Sequence, residues 1–316
     1  PAATKVEPFA NGLVELVEFK LREGSKLDGL RLNDFRSRYS EGILICAVER
    51  EGSVTIPNGD FVLAARDYVT VVGAPHELHE LFRKIGEFRP EAESVIIGGG
   101  GRSAARLALE LARMHIHSTI IERDPARCRV MKTLLPEATI ICADGTKPDV
   151  LHEEGLTEAD ALVTLTESDE TNLIISSFAH HENVPKIVTK VDEDNFIQLA
   201  ESYGLTTIIQ PADVTAGRIV EYVRWMQNSA HSSGVETLRM VADGQAEALE
   251  FIVRAESQFL DVPLKTLKLK DSVLVASIIR RGKCRVPSGN DAIELGDRVV
   301  VVTTNHGMHE LKDILK

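Results

Sequence analysis

Val95-Ile96-Ile97-Gly98-Gly99-Gly100-Gly101-Arg102-Ser103-Ala104 sets a glycine run between an apolar strand and an apolar helix. Within it, Gly99, Gly101 and Ala104 form G-x-G-x-x-A. Gly99 permits a tight turn, Gly101 lets backbone approach a pyrophosphate, and Ala104 is small enough to bring the helix close to the strand. Amides at the start of that helix favour an anion. Alone such a run is a weak signal, since a glycine run after a strand can be only a loop; its surroundings decide. Glu122 ends the next apolar run, 23 residues after Gly99. An acidic side chain there accepts both hydroxyl hydrogen bonds of an adenosine ribose, and its charge disfavours a 2′-phosphate, so NAD is expected over NADP.

Working outward, short apolar runs recur at 94–97, 118–122, 138–142, 161–165, 186–191 and 206–209, separated by helical patterns such as 104–114, 194–202 and 212–227. Strand–helix alternation of this kind implies an α/β fold with a doubly wound parallel sheet covered by helices on both faces. Phe88–Glu93, polar and proline-bearing, reads as the linker into this segment, and Asn228–Val235 as the way out.

The flanks are different, and they repeat each other. Shifted by 230, Ile45–Ile85 falls on Val275–Leu315 without a gap, placing Pro57 on Pro287, Gly59 on Gly289, Asp67 on Asp297 and His79 on His309. Glu18-Phe19 matches Glu250-Phe251 after a two-residue gap. Each copy reads as β-rich runs and then a short helix: in the first, strands over 14–21, 42–50, 53–56 and 68–73, a hairpin at Glu51-Gly52, and a helix from Pro75. A module of about 75 residues sits near the lower limit for an independent core, so each copy is expected to lean on a partner. The expected domains are 1–87, 88–230 and 231–316.

Composition narrows the function classes. The 316 residues are 43% hydrophobic and 27% charged, as in a soluble globular protein, and the net charge of −12 opposes binding to nucleic acid or anionic lipid. No run approaches the roughly 18 apolar residues of a membrane span. The start, Pro-Ala-Ala-Thr, is no signal peptide, and without an initiator methionine it reads as a fragment or a processed chain. The four scattered cysteines, Cys46, Cys128, Cys142 and Cys284, read as small apolar residues of a reduced intracellular protein.

Further candidates lie along the same sheet edge. Asp144 either contacts the adenine side of a nucleotide or caps the helix over 147–154. Thr166-Glu167-Ser168-Asp169-Glu170 caps the following helix or senses the distal part of a ligand. Lys190 reaches a phosphate or pairs with Asp192 or Asp194. His180-His181 point about 100° apart and make a poor ligand pair. His76 with His79, and His306 with His309, share a helix face, read chiefly as solvated. Trp225, with Ile219, Val223 and Met226, forms a stripe expected in a core or subunit interface. No catalytic constellation is present, and a dehydrogenase would need an acid or base over the nicotinamide.

With these residues in view, the chain resembles the TrkA-type RCK family, regulators of potassium conductance. The glycine run, Ile121-Glu122-Arg123-Asp124-Pro125, Ala143-Asp144-Gly145-Thr146 and Leu165–Asn172 fit its Rossmann-like lobe. Ile56–Asp60 and Val286–Asn290 fit the hairpin of its carboxyl-terminal lobe. The resemblance implies two small α+β lobes around the nucleotide-binding domain, with a first Rossmann domain missing. It implies that Gly99, Gly100, Gly101, Arg102 and Ser103 hold phosphates, Glu122 ribose, and Arg123 and Asp144 the adenine side, with Thr166 and Lys190 nearby. Family ligands include NAD(H), ATP and ADP. The implied role is a non-enzymatic gating subunit that assembles with itself as a dimer or tetramer. It would sit on the inner face of the plasma membrane through a TrkH-like potassium channel subunit. Alternatives are a regulatory tail of a potassium efflux or antiport system, and an NAD-dependent dehydrogenase. Two positions depart from the family pattern: Ala104, where many relatives carry glycine, and Ser103, where an apolar residue is common.

Overall fold

A computed structural model describes residues 3–87, 92–228, 234–242 and 244–316. The expected linkers therefore lie largely outside the described residues. The chain divides into two compact units, Arg89–Ala216 and the combination of Pro1–Phe88 with Gly217–Lys316.

The first lobe runs β1 (Ala3–Phe9), β2 (Val14–Lys20), α1 (Leu32–Arg38), β3 (Ile43–Arg50), β4 (Ser53–Thr55), β5 (Tyr68–Gly73) and α2 (Pro75–Ile85). Its antiparallel sheet has the order β1-β2-β5-β3-β4. Glu51 and Gly52, at φ 52° and 75°, make the tight β3–β4 turn that matches strand twist. Phe19, Phe35, Ile43, Val69, Leu81 and Phe82 fill the core on one face of that sheet. α2 buries Leu78, Leu81, Phe82 and Ile85 and stops at Gly86, whose φ of 85° suits glycine.

The middle segment continues as β6 (Ser94–Gly98), α3 (Arg102–Arg113), β7 (His117–Glu122), α4 (Pro125–Leu134), β8 (Thr139–Cys142) and α5 (Pro148–Glu153). β9 (Ala161–Thr164), α6 (Asp169–His181), β10 (Lys186–Lys190), α7 (Asn195–Ser202), β11 (Ile208–Ile209) and α8 (Pro211–Asn228) follow. All six strands are parallel, in the order β11-β10-β9-β6-β7-β8. The order reverses between β9 and β7 at β6, the first strand, and ligands of such sheets bind beyond the carboxyl ends of the strands there. Separate apolar clusters cover the two faces, one around Leu151, Leu162 and Ile175, the other around Ile97, Ala104, Ala108 and Ile120.

The second lobe comprises β12 (Val235–Val241), β13 (Ala246–Ile252), β14 (Val273–Arg280), β15 (Lys283–Arg285) and β16 (Arg298–Thr303), in the order β12-β13-β16-β14-β15. The repeat holds down to irregularities. A register shift at Ile45/Ala47 recurs at Val275/Ser277, and one at Ala3/Lys5 recurs at Val235/Thr237. Arg50 grips the buried Asp67 through two bonds of 2.7 Å, and Arg280 grips Asp297 through two of 2.8 Å. Such forked pairs hold the β3–β5 and β14–β16 ends.

The two lobes share one core. Phe9, Ala10, Val14, Leu16, Cys46 and Val72 from the first pack with Val241, Ala246, Ala248, Ala276, Val300 and Val302 from the second. A backbone amide in each hairpin turn donates to a strand carboxylate of the other lobe: Ala10 N to Glu250 Oε2 and Ala242 N to Glu18 Oε2, each at 3.3 Å. Both alanines adopt left-handed φ near 50°. Glu7 on β1 pairs with Arg239, its counterpart on β12, at 3.0 Å. Each lobe thus covers the sheet face that the other cannot bury alone.

Four expectations need correction. β1 and β12 were not expected as strands; their alternation is irregular, and pairing along β2 and β13 stabilises them. The second copy ends in a short 3-10 turn at Leu311–Ile314 where the first has α2. His306 and His309 consequently share no helix face, and His306 Nδ1 lies 2.9 Å from the buried Glu247 carboxylate. Of the two places expected for the α8 stripe, a core or a subunit interface, the core of this chain is excluded, since Ile219, Val223 and Met226 are 46–58% exposed; the Trp225 side chain lies outside the described residues. Cys142 is exposed, unlike Cys46 and Cys128.

Candidate nucleotide site

The carboxyl ends of β6, β7, β8, β9 and β10 bring Gly98–Gly101, Glu122, Asp144, Thr166 and Lys190 to one sheet edge. The three central glycines have three different reasons for lacking a side chain. Gly99 sits at φ 98°, and a Cβ there would lie 3.0 Å from the Leu165 backbone. A Cβ on Gly100 would meet the Glu122 side chain at 3.0 Å. A Cβ on Gly101 would meet nothing within 4 Å, so its smallness answers no neighbour within the chain. That is the position where close approach of a ligand's pyrophosphate calls for glycine.

Glu122 is buried, and both of its oxygens are engaged. Oε2 accepts from Gly100 N at 2.7 Å and Oε1 from Asp124 N at 2.8 Å. A carboxylate retains further lone pairs beyond these two bonds. α3 starts at Arg102 after Gly101 with no side-chain cap and no acidic residue in its first turn. The amide-rich end therefore faces the glycine loop with Arg102 and Ser103 both exposed. By contrast Asp124 caps α4 and Ser168 caps α6 with their own side chains.

Asp144 does not cap α5. Its carboxylate accepts from Thr146 Oγ1 at 2.8 Å and Thr146 N at 3.0 Å, while Lys147 stands at the helix start without a side-chain cap. The Thr146 hydroxyl, then its amide, hold the Asp144 carboxyl below the usual range, and the positive charges of Lys147 and Arg123 add to this. Arg123 is exposed at the end of β7. Lys190 Nζ bonds the Thr166 carbonyl at 3.2 Å and pairs with Asp192, as one of its two expected readings had it.

Asn172 and Arg127 carry roles that the sequence does not reveal, and Asp169, expected at a helix start, reaches across to the end of β10. Asn172, fully buried on α6, accepts from Thr166 N at 2.9 Å and donates to Lys190 O at 3.0 Å, tying the ends of β9 and β10 together. Asp169 accepts from Asp192 N and Glu193 N, each at 2.9–3.0 Å. Arg127, in the first turn of α4, pairs with Glu167 beyond β9 at 2.8 Å. An arginine two residues beyond Asp124-Pro125 was visible as a charge at a helix start; its partner 40 residues away was not.

The TrkA-N domain family matches residues 95–211, and the TrkA-C domain family matches both flanks, 16–86 and 248–316. The Trk system potassium uptake protein TrkA homolog of Archaeoglobus fulgidus is 30% identical over 316 residues, covering 100% of this chain and 69% of that relative. TrkA homolog 1 of Methanosarcina mazei is 27% identical over 317 residues, with the same coverages of 100% and 69%. Among solved structures, the GsuK channel bound to NAD superposes with a TM-score of 0.53 at 18% identity, over 96% of this chain and 54% of that one. That likeness establishes a shared fold. Among the described residues no helix is long and apolar enough to cross a membrane.

Proposed function

The chain belongs to the TrkA family, with a TrkA-N domain between two TrkA-C domains, and on that premise we propose that it is a nucleotide-binding regulatory subunit of a potassium transport system. The observation that carries this reading is the Glu122 carboxylate bonded to Gly100 at the switch point of the parallel sheet. That arrangement suits an adenosine ribose beside a pyrophosphate.

In this reading the amides from Gly101 to Ala104 and the Arg102 guanidinium hold phosphates. Glu122 accepts from ribose hydroxyls with its remaining lone pairs, and Arg123 and Asp144 flank the adenine. Thr166 and Lys190 face the distal end of the ligand. NAD(H) is favoured over NADP(H) because the negative Glu122 repels a 2′-phosphate; ATP and ADP present the same adenosine and phosphate groups to these residues. The role is regulatory and not catalytic: differential affinity of the nucleotide for two arrangements of the assembly shifts a membrane potassium channel partner, TrkH-like in kind, between open and closed. Self-association into a dimer or tetramer and a place at the inner face of the plasma membrane belong to the same proposal.

Calorimetric titration with NAD, NADH, ATP and ADP, beside Glu122→Ala, tests the site. Saturable binding that the variant loses is the expected result. Potassium flux through the reconstituted transport system that ignores every nucleotide would overturn the regulatory role.

A further inference from the structure

The strand end that carries Glu122 also carries two thiols. Cys142 is the last residue of β8 and lies level with Glu122 in the parallel β7–β8 ladder. Cys128, on α4, donates its thiol hydrogen to the Glu122 carbonyl at 3.2 Å, and that same carbonyl accepts Ala143 N at 3.0 Å. Helix and strand thus converge on one carbonyl from two sides, which brings Cys128 and Cys142 to the same end of β7. Both cysteines are free; Cys128 is buried and Cys142 exposed. Neither role proposed for Glu122 uses them.

We propose that Cys128 and Cys142 form a thiol–disulfide exchange site for low-molecular-weight disulfides, and that closing the bridge weakens nucleotide binding at Glu122. The first half stands on the pair itself; the second rests on the nucleotide reading above.

The division of labour follows from exposure. Burial, and then contact with Cys142, pushes the Cys128 thiol up to about 11, so Cys128 stays protonated at neutral pH. The exposed Cys142, as thiolate, attacks one sulfur of the incoming disulfide. A protein–small-molecule mixed disulfide forms, and one small thiol leaves with the proton that Cys142 gave up. Cys128 then loses its proton and attacks the Cys142 sulfur, expelling the second small thiol. In sum two protein thiols are oxidised to one disulfide, and one small disulfide is reduced to two thiols.

Coupling to the site runs through α4. A disulfide needs Cβ atoms about 3.8 Å apart in a fixed dihedral geometry. Bridging removes the thiol hydrogen that Cys128 donates to the Glu122 carbonyl and, in this proposal, shifts the start of α4 against β8. Asp124, at that helix start, supplies the amide that holds Glu122 Oε1. Moving it turns the carboxylate away from the orientation that a ribose requires. By linkage, a bound nucleotide protects the pair from oxidation to the same extent.

The test uses the full chain, reduced and then exposed to hydroxyethyl disulfide, with peptide mapping and NAD titration before oxidation, after it and after re-reduction. The expected result is a mapped Cys128–Cys142 bridge and an NAD affinity lowered about tenfold, restored by reductant and unaffected by oxidant in Cys142→Ser. In Cys128→Ser the mixed disulfide should persist on Cys142. Mapping that finds only a mixed disulfide on Cys142 of the unmodified sequence, with no bridge, overturns the exchange site. A mapped bridge with unchanged affinity overturns the coupling. Should the reduced chain bind no nucleotide, the nucleotide reading and with it the coupling fall, while mapping still decides the exchange site.

Discussion

Gly100 N donates to Glu122 Oε2 at 2.7 Å, so the glycine loop and the carboxylate proposed to hold ribose are tied to each other within the chain. A preformed site loses little entropy on binding. Replacing the carboxylate by an amide, Glu122→Gln, points an N–H₂ at either Gly100 N or Asp124 N. The expected cost is about 1–3 kcal/mol in nucleotide affinity, roughly 5- to 150-fold, with a lower melting temperature. Calorimetry and thermal unfolding on the same preparations check it.

Adjacent glycines should separate stability from binding. Gly101→Ala adds a methyl that meets nothing within 4 Å; unfolding free energy should move by less than about 0.5 kcal/mol while NAD affinity falls at least about tenfold. Gly99→Ala places a Cβ at φ 98° against the Leu165 backbone and should cost about 1–3 kcal/mol of stability. Urea unfolding beside NAD titration distinguishes the two.

The seam between the lobes pairs larger residues with smaller ones. Phe9, Val14 and Leu16 of the first lobe stand where the second has Val241, Ala246 and Ala248. Leu16→Ala should cost about 2–5 kcal/mol, and Ala248→Leu about 1–3 kcal/mol through overpacking. The double substitution returns volume to the shared core and should cost less than the sum of the two. Denaturant midpoints of the four proteins measure this.

Asp160, just before β9, accepts from Glu93 N at 2.9 Å and from Ser94 N and Oγ at 3.0 Å, joining the entry ends of β6 and β9. The Glu93 amide, then the Ser94 amide and hydroxyl, hold its carboxyl below the usual range. A carboxyl lowered in the folded state adds stability that is fully present above its unfolded pKa of about 3.9 and is lost as pH falls through the folded value. Asp160→Asn should therefore lower stability at pH 7 by about 1 kcal/mol after solvent screening. The difference should shrink as pH falls below the unfolded value and on through the lower folded one. Unfolding curves at a series of pH values test the slope.

Much of the fold was legible because its signals are local. Apolar runs between helical patterns implied the parallel sheet, and the shift of 230 exposed the duplicated lobes, because period-two alternation and turn residues survive in both copies. Glu51-Gly52 and Arg281-Gly282 adopt the same left-handed pair of angles. The missing second α2 shows where the signal ends. His306–Leu311 keeps the spacing of His76–Leu81, yet Gly307 at φ 92° stands where α2 has Glu77, and the chain closes only in a 3-10 turn at Leu311–Ile314. A helix of so few residues depends on tertiary partners and not on propensity.

Sequence by itself determined the glycine loop, the acidic strand end and the order of lobes, since each rests on residue type and chain spacing. Tertiary structure alone decided that Asp144 turns onto Thr146 and not onto α5, and that Asn172 ties Thr166 to Lys190. It alone brought Cys128 of α4 and the Cys142 end of β8 to one carbonyl, that of Glu122, and closed the lobes on one core. Those outcomes turn on which buried hydrogen-bonding groups and which apolar faces must be satisfied together. Distance along the chain carries no record of that requirement.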